Sequence, residues 1–427
     1  MNVNSRLLKL SLIYGCSTIV GCGEYMPSEA VSAAENEVSA SSGAGPCNSS
    51  SIYDGGYIRC GPSDDGYRTY LKQAVETPNM TVEMGAGTFD LSDDIWNVQS
   101  QVTIAGAGLG STIIQRTTDR HDPMIKISGR TAVTLKDFTL EMNNTIGQPI
   151  LSQDTHILYV RRVEVRNATS DSFTVLNGSH VDFDGCIVNR TTSHGISFSS
   201  TRGPSEFGVE SFSIRNCQIN DTDLSGINCA NCTGASWSDR SVISNNTITY
   251  HGNHPNPYGG VRLPNAARYV DVKDNTVVNY TRGIFVLSKS RWNNIYRNSI
   301  HGGASNDQEG IVIQGPYNSV FCNTVFDMDR AALQIYGNTG LTSKDGPDHN
   351  NEIIFRHNLA VNQGHGEGNH PGHGVWISHS GNSTGHSTAY NSYNWDDYNS
   401  ASDWFCSVYP FNDAQEYVNG FRATPTP

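Results

Sequence analysis

The sequence predicts an all-β solenoid, a stack of short parallel strands wound in successive coils, and three observations carry that reading. The chain is rich in Gly (42 of 427 residues), Asn, Ser and Thr, with only 16% charged residues, against about 25% in an ordinary globular domain. Gly and Asn disfavour helix interiors and favour turns, which excludes a helix bundle and points to many short strands. The second observation is self-similarity. Asn recurs in one setting, at Arg215-Asn216-Cys217, Asn245-Asn246-Thr247, Asp274-Asn275-Thr276, Arg297-Asn298-Ser299, Cys322-Asn323-Thr324 and His357-Asn358-Leu359, at intervals of 23 to 35 residues. Such periods are the mark of stacked repeats. The third is alternation: each Asn follows a run such as Val270-Asp271-Val272 and precedes a second run such as Gly260-Val261-Arg262-Leu263 or Gly310-Ile311-Val312-Ile313. Period-two alternation behind a small residue reads as a strand entered through a tight turn.

In chain order, Arg6 and Lys9 precede an apolar stretch from Leu10 to Val20, too short to span a bilayer and of the size of a signal-peptide core. It ends in Ile19-Val20-Gly21-Cys22, which resembles the lipobox of bacterial lipoproteins. The resemblance implies a signal peptide over 1–21 and lipidation of Cys22. Gly23 follows, where an Asp would favour inner-membrane retention, so the expected location is the outer membrane or cell surface, with membrane contact only through the anchor. Residues 22–46, rich in Ser, Ala and Glu, read as a flexible tether. An even set of cysteines remains, at Cys47, Cys60, Cys186, Cys217, Cys229, Cys232, Cys322 and Cys406, and an exported chain permits disulfides. Cys47 with Cys60 and Cys322 with Cys406 are the expected clasps, and Cys229 and Cys232 form a local disulfide or stay inert thiols. An amphipathic cap helix is expected near Asp65 to Val75. The solenoid with its cap is assigned to 47–386, and residues 387–427, with Tyr390, Tyr393, Trp395, Tyr398, Trp404, Phe405 and Tyr409, to an aromatic C-terminal cap or tail.

With the Asn register and the paired runs in view, the sequence resembles the right-handed parallel β-helix, the pectin-lyase-like family of folds. Met84-Gly85-Ala86-Gly87-Thr88-Phe89 and Val102-Thr103-Ile104-Ala105-Gly106-Ala107-Gly108 are similar to the entry coils of pectate-lyase-type members. The resemblance implies an inward Asn stacked coil upon coil. It also implies an extracellular polysaccharide as partner, and brings calcium into view as a cofactor. No acidic run of the pectate lyase kind, no paired aspartates of the polygalacturonase kind near Gly195-Ile196-Ser197 and no epimerase signature near Asp171-Ser172-Phe173-Thr174 mark a site.

Because stacked strands lie about 4.8 Å apart, equivalent positions form surface ladders. Just before the small residue of the second run come His194, Tyr258, Arg282, Glu309, Arg330 and His373, within one or two positions of register. The chemistry expected of this edge is β-elimination from a uronate chain. It needs a cation on the carboxylate, a base for the proton next to it and an acid for the leaving oxygen. Arg262 and Arg282 are the candidate neutralisers, Tyr258 or His194 the base or acid, and Glu309 an orienter. Arg330 can hold a carboxylate, and Phe285, Tyr336 and Trp376 can stack on sugar rings. The competing readings are a non-catalytic glycan-binding or adhesive solenoid and a glycoside hydrolase, which needs two facing carboxylates. His365, Glu367, His370 and His373 are weak candidates for a transition-metal site. A net charge of −13 argues against nucleic acid, which needs a basic face.

Overall fold

In a computed structural model the chain winds as a right-handed parallel β-helix. The structure describes residue 47, residues 56–92, 94–201, 208–251, 258–303, 308–315, 317–328 and 331–336, and five later strands at 354–356, 359–361, 373–378, 387–389 and 392–394. The predicted signal peptide, Cys22 and the tether lie outside them.

Each coil carries up to three strands, and every pairing between coils is parallel. Sheet I includes Phe212–Arg215, Ser241–Ser244, Val270–Lys273, Asn294–Tyr296 and Ser319–Phe321. Sheet II includes Gln218–Thr222, Thr247–Thr249, Thr276–Val278, Ser299–His301 and Thr324–Phe326. Sheet III has eleven strands, from Trp96–Val98 to His373–Ser378. The last pairings, Ile354–Arg356 with Ser387–Ala389 and Leu359–Val361 with Ser392–Asn394, carry sheets I and II past residue 386, where the sequence reading began the tail.

The N-terminal end is closed by helix α1 (Tyr67–Val75), which turns Leu71, Ala74 and Val75 onto the first coils. A disulfide between Cys47 and Cys60 ties the preceding segment to the first strand. Cys229 and Cys232 form the local disulfide. Cys322 is disulfide-bonded too, and its expected partner Cys406 lies outside the described residues. Inward positions fill the bore with Val and Ile, and an aromatic row of Phe173, Phe183, Phe198 and Phe212 runs along it at centroid separations of 5.0–6.0 Å.

The Asn ladder stands in the turn between sheets I and II. Asn246 Nδ2 donates to Asn275 Oδ1, Asn275 Nδ2 to Asn298 Oδ1 and Asn298 Nδ2 to Asn323 Oδ1, each at 2.9 Å. The same oxygens accept the backbone N–H of the preceding ladder residue at 3.0–3.1 Å, and the amide nitrogens also donate to Ile243, Val272 and Ile295 carbonyls. These amides are buried, and every polar atom of the row has a partner, as a buried amide requires. Asn216 is not in the row. It occupies the preceding, left-handed position (φ 56°) and donates to Asp184, while Cys217 fills the ladder position above Cys186. Both are free thiols, and burial next to Cys186 pushes the Cys217 thiol well above its ordinary value. A second ladder, which the sequence reading missed, marks the turn from sheet III to sheet I. There Asn293 Nδ2 donates to Asn318 Oδ1 at 3.0 Å, and Asn293 Oδ1 accepts Val270 N–H at 3.0 Å.

Between sheets II and III the chain bends against itself. A Cβ placed on Gly226, Gly260, Gly283 or Gly310 would meet Ile248, Val277, Ile300 or Val325 at 2.2–2.5 Å. The glycine at these four positions is thus a packing requirement, set by the β-branched side chain of sheet II that lies against it. Replacing Asn298 by Ala leaves two buried donors and an acceptor unmatched and is expected to cost about 2–4 kcal/mol, whereas Asn216→Gly suits its left-handed backbone and stays within about 0.5 kcal/mol. Urea unfolding of the two variants checks this; equal losses would contradict the assignment of the row.

Candidate functional site

The candidate strip runs along the edge where sheet II hands the chain to sheet III. Strand register pairs Arg282 with Glu309, Glu309 with Ala331 and Ala331 with His373. Ser225 pairs with Gly259, and His194 continues the same column two residues before Ile196. His194, Arg282, Glu309 and His373 therefore share one column, and Tyr258 and Arg330 precede it by one position. Arg262 stands three residues further on, in the outward row with Ser197, Asn228, Phe285, Val312 and Gln334.

The structure brings His194, Tyr258 and Arg262 into one charged neighbourhood. Arg262 lies over the Tyr258 ring at 5.3 Å, and its Nε is buried without a partner among the described residues. Burial lowers the Arg262 guanidinium from its ordinary value, with Arg282 adding to the effect. Tyr258 is 47% exposed, whereas Val312 and Gln334 in the outward row are fully buried, so the open part of the strip is around Tyr258. His194 Nδ1 accepts the Ser225 backbone N–H at 3.1 Å. With Nδ1 occupied as an acceptor, the neutral ring carries its proton on Nε2 and can only donate from there. That tautomer is assigned from the hydrogen bond. Burial lowers His194 below its ordinary value; Asp171 opposes the shift and Arg262 reinforces it. Asp171, which the sequence reading passed over, holds the turn by accepting from Ser193 Oγ and from the His194 backbone N–H at 3.1 Å. It occupies the column position one coil below His194, and that register was the available signal.

Arg282 differs from its expected role. Its Nε donates to Glu309 Oε2 at 2.7 Å, Glu309 is fully buried, and the guanidinium covers the Phe285 ring at 4.8 Å. Glu309 thus positions Arg282, as an orienter would. Phe285, only 8% exposed, has that ring face covered and is a poor sugar platform. Tyr336 ends the strand Ala331–Tyr336, and Trp376 pairs with Gln334. Their side chains, with Arg330, His365, Glu367, His370 and the His373 imidazole, lie outside the described residues.

Calcium needs six to eight oxygen ligands. In the strip, Asp171 is taken up by Ser193 and His194, and Glu309 is tied to Arg282 and sealed from solvent. The described residues here do not fit calcium. Elsewhere among them, the cluster of Cys47, Cys60 and Asp64 contains the disulfide, which leaves one ligand.

With this geometry in view, the comparisons with known proteins fall into place. Residues 206–393 match the family described as the right handed beta helix region. No curated protein matches significantly. Similar solved structures include PfbA, a surface adhesin of Streptococcus pneumoniae, at 10% identity and TM-score 0.53 over 78% of this chain and 88% of that one. A mannuronic acid specific polysaccharide family 6 lyase from human gut microbiota shares 13% identity at TM-score 0.51, over 79% and 86%. The PL6 family alginate lyase AlyGC shares 11% at TM-score 0.53 over 79% of this chain and 51% of that one, so this chain spans about half its length. What is shared at these identities is the β-helix fold.

Two expectations follow. Arg282→Ala strands a buried carboxylate and is expected to destabilise the protein by about 3–5 kcal/mol, while the double change Arg282→Met with Glu309→Leu stays near neutral; thermal denaturation of both variants distinguishes a buried pair from a surface one. For pH, the unfolded chain protonates its histidines near about 6.5 while folded His194 and His301, both lowered chiefly by burial, resist. Stability therefore falls as pH drops through about 6.5 and stops falling below the folded values. Replacing both by Gln flattens that acid limb, and an unchanged limb in denaturation at about pH 7 and 5 would refute the assignment.

Proposed function

We propose that the protein is a carbohydrate-active β-helix that cleaves a uronate-containing extracellular polysaccharide by β-elimination. The observation that carries the reading is the exposed Tyr258 phenol beneath Arg262, whose Nε has no partner among the described residues. A uronate carboxylate placed on Arg262 has its charge offset where the negative charge of the carbanion builds up. The Tyr258 oxygen, acting as the base, takes the proton from the carbon bearing the carboxylate. The electron pair forms the new double bond as the neighbouring carbon–oxygen bond breaks, and the phenol returns the proton to the leaving oxygen. His194 donates from Nε2 to hold the substrate. Arg282, held by Glu309, acts on Arg262 by its charge and does not bind the carboxylate itself. Two solved structures of the same fold, the mannuronic acid specific lyase and AlyGC, support lyase chemistry on such a scaffold.

A glycoside hydrolase is disfavoured, because Glu309 is buried against Arg282 and has no facing carboxylate in register among the described residues. The adhesive reading is favoured by one observation, that Arg282 is already neutralised by Glu309, which leaves Arg262 as the cation for substrate. Incubation with alginate, pectate and glycosaminoglycans, followed by ultraviolet absorbance of unsaturated products, separates the two. Tyr258→Phe is expected to lower product formation about 100-fold or more while leaving the fold intact. An undiminished rate would remove Tyr258 from the chemistry, and glycan binding without product from the native protein would favour the adhesin.

The lipobox resemblance at Cys22 supports surface anchoring. In cells, Cys22→Ala is expected to move the protein from the membrane fraction to the soluble one, and retention in the membrane would argue against a lipid anchor there.

A further inference from the structure

The turn from sheet III to sheet I carries a second ladder of chemistry that the elimination reaction does not use. Strand register carries Arg240, Tyr269, Trp292 and Tyr317 up one column, one coil apart. Tyr269 and Trp292 are stacked at 5.4 Å with planes 6° apart, and Trp292 and Tyr317 at 5.9 Å and 20°. Trp237 meets Tyr269 edge-on at 6.4 Å and is 61% exposed. Beside the rings stand Arg268 and Arg291, bridged in register, with guanidinium carbons 5.7 and 4.4 Å from the Trp292 ring. Arg240 lies 4.9 Å over Trp237.

Two features set this column apart. Tyr269, Trp292 and Tyr317 all have positive φ, 54°, 59° and 57°. Bulky residues are uncommon there, where Asn or Gly would satisfy the same turn, as Asn216 and Asn245 do between sheets I and II. Ring stacking at about 0.5–1.5 kcal/mol per pair offsets that strain without needing any arginine. The second feature is charge. Arg268 and Arg291 are like charges one coil apart, and burial together with the Arg291 charge lowers the Arg268 guanidinium from its ordinary value. Asp271 is paired with Arg240, which also donates to the Trp292 carbonyl at 2.6 Å. Arg291 has no carboxylate partner among the described residues, and its Nε is buried and unmatched. In a chain of net charge −13, Arg291, without a carboxylate partner among the described residues and one coil from a second arginine, is a local exception.

We propose that this strip is a non-catalytic binding site for an anionic polysaccharide, whose sugar rings lie on the Trp237, Tyr269, Trp292 and Tyr317 surface while its carboxylates or sulfates pair with Arg291 and Arg268. Four coils at about 4.8 Å each give the strip a length of roughly 14 Å, room for about two to three sugar rings. It flanks sheet III on the side away from Tyr258, so a chain held here leaves the open strip around Tyr258 accessible. The site stands whether or not the protein is a lyase, because its readout is binding alone.

Affinity gel electrophoresis of the full chain, with polygalacturonate, dextran sulfate or neutral dextran in the gel, tests it. Both polyanions should retard the native protein and dextran should not, with retardation fading as salt rises. Trp237→Ala removes an exposed ring. Arg291→Gln removes a cation, and Trp292→Gly removes the central ring while matching the positive φ. Each is expected to weaken binding about tenfold or more, with far-ultraviolet circular dichroism unchanged for the first two. Retardation by polygalacturonate alone identifies carboxylates as the ligand, and by dextran sulfate as well, any anionic sugar. Native migration of Trp237→Ala and Arg291→Gln, equal retardation by dextran, or loss of binding only in Arg262→Gln would overturn the proposal. Absence of unsaturated products would bear on the lyase reading and leave this one standing.

Discussion

Everything in this molecule depends on satisfying amides at a tight turn in a dry interior. A coil must pass from sheet I to sheet II without leaving a backbone N–H unmatched, and the ladder does this by letting the Oδ1 of Asn275, Asn298 and Asn323 each accept two N–H groups from the coil before it, and that of Asn246 the Cys217 backbone N–H. The turn then takes the same shape in every coil that carries an Asn. Because its shape repeats, the strands on either side stay in register, and because they stay in register, outward side chains are brought into columns. Both surface strips are downstream of that one repeated hydrogen bond.

Much of this was legible in the sequence. The fold, the cap helix, the Cys47–Cys60 clasp and the glycine that opens the later sheet III runs at 226, 260, 283 and 310 follow from periodicity and residue type. The misplacement of Asn216 has a physical cause. The turn makes two demands at adjacent positions, a left-handed backbone and an inward amide, and Asn serves both. In Asn245-Asn246 the two demands are met by two asparagines, whereas in Arg215-Asn216-Cys217 the one Asn meets the first and a thiol takes the second place. Residue type alone could not separate them.

The candidate strip was readable to within a position. Glu309 and Arg282 stood out as opposite charges one repeat apart, but their depth did not, because burial depends on what covers an outward face and that is a property of neighbouring coils. The ladder of Asn293 and Asn318 and the aromatic column beside it escaped notice for a related reason. They follow segments of unequal length after sheet III, which blurs the repeat, although Tyr269-Val270-Asp271, Trp292-Asn293-Asn294 and Tyr317-Asn318-Ser319 align once those segments are allowed to vary. Columns of this kind multiply whatever they hold: rings become a continuous platform, and two arginines become like charges one coil apart.

The Asn row also has a direction. In every Asn–Asn bond of the row one side-chain N–H points to the next coil and the oxygen to the previous one, while the second N–H goes to a carbonyl of the previous coil, so these ladder bonds run head to tail along the axis. A single amide turned over would set nitrogen against nitrogen on one side and oxygen against oxygen on the other. The row is therefore read as a unit, each bond polarising its neighbours. Slow chemical conversion of one ladder Asn to Asp would have the same effect as a turned amide, replacing a donor by an acceptor in the middle of an ordered line. The molecule's durability thus depends on keeping water, the reagent for that change, away from four amides.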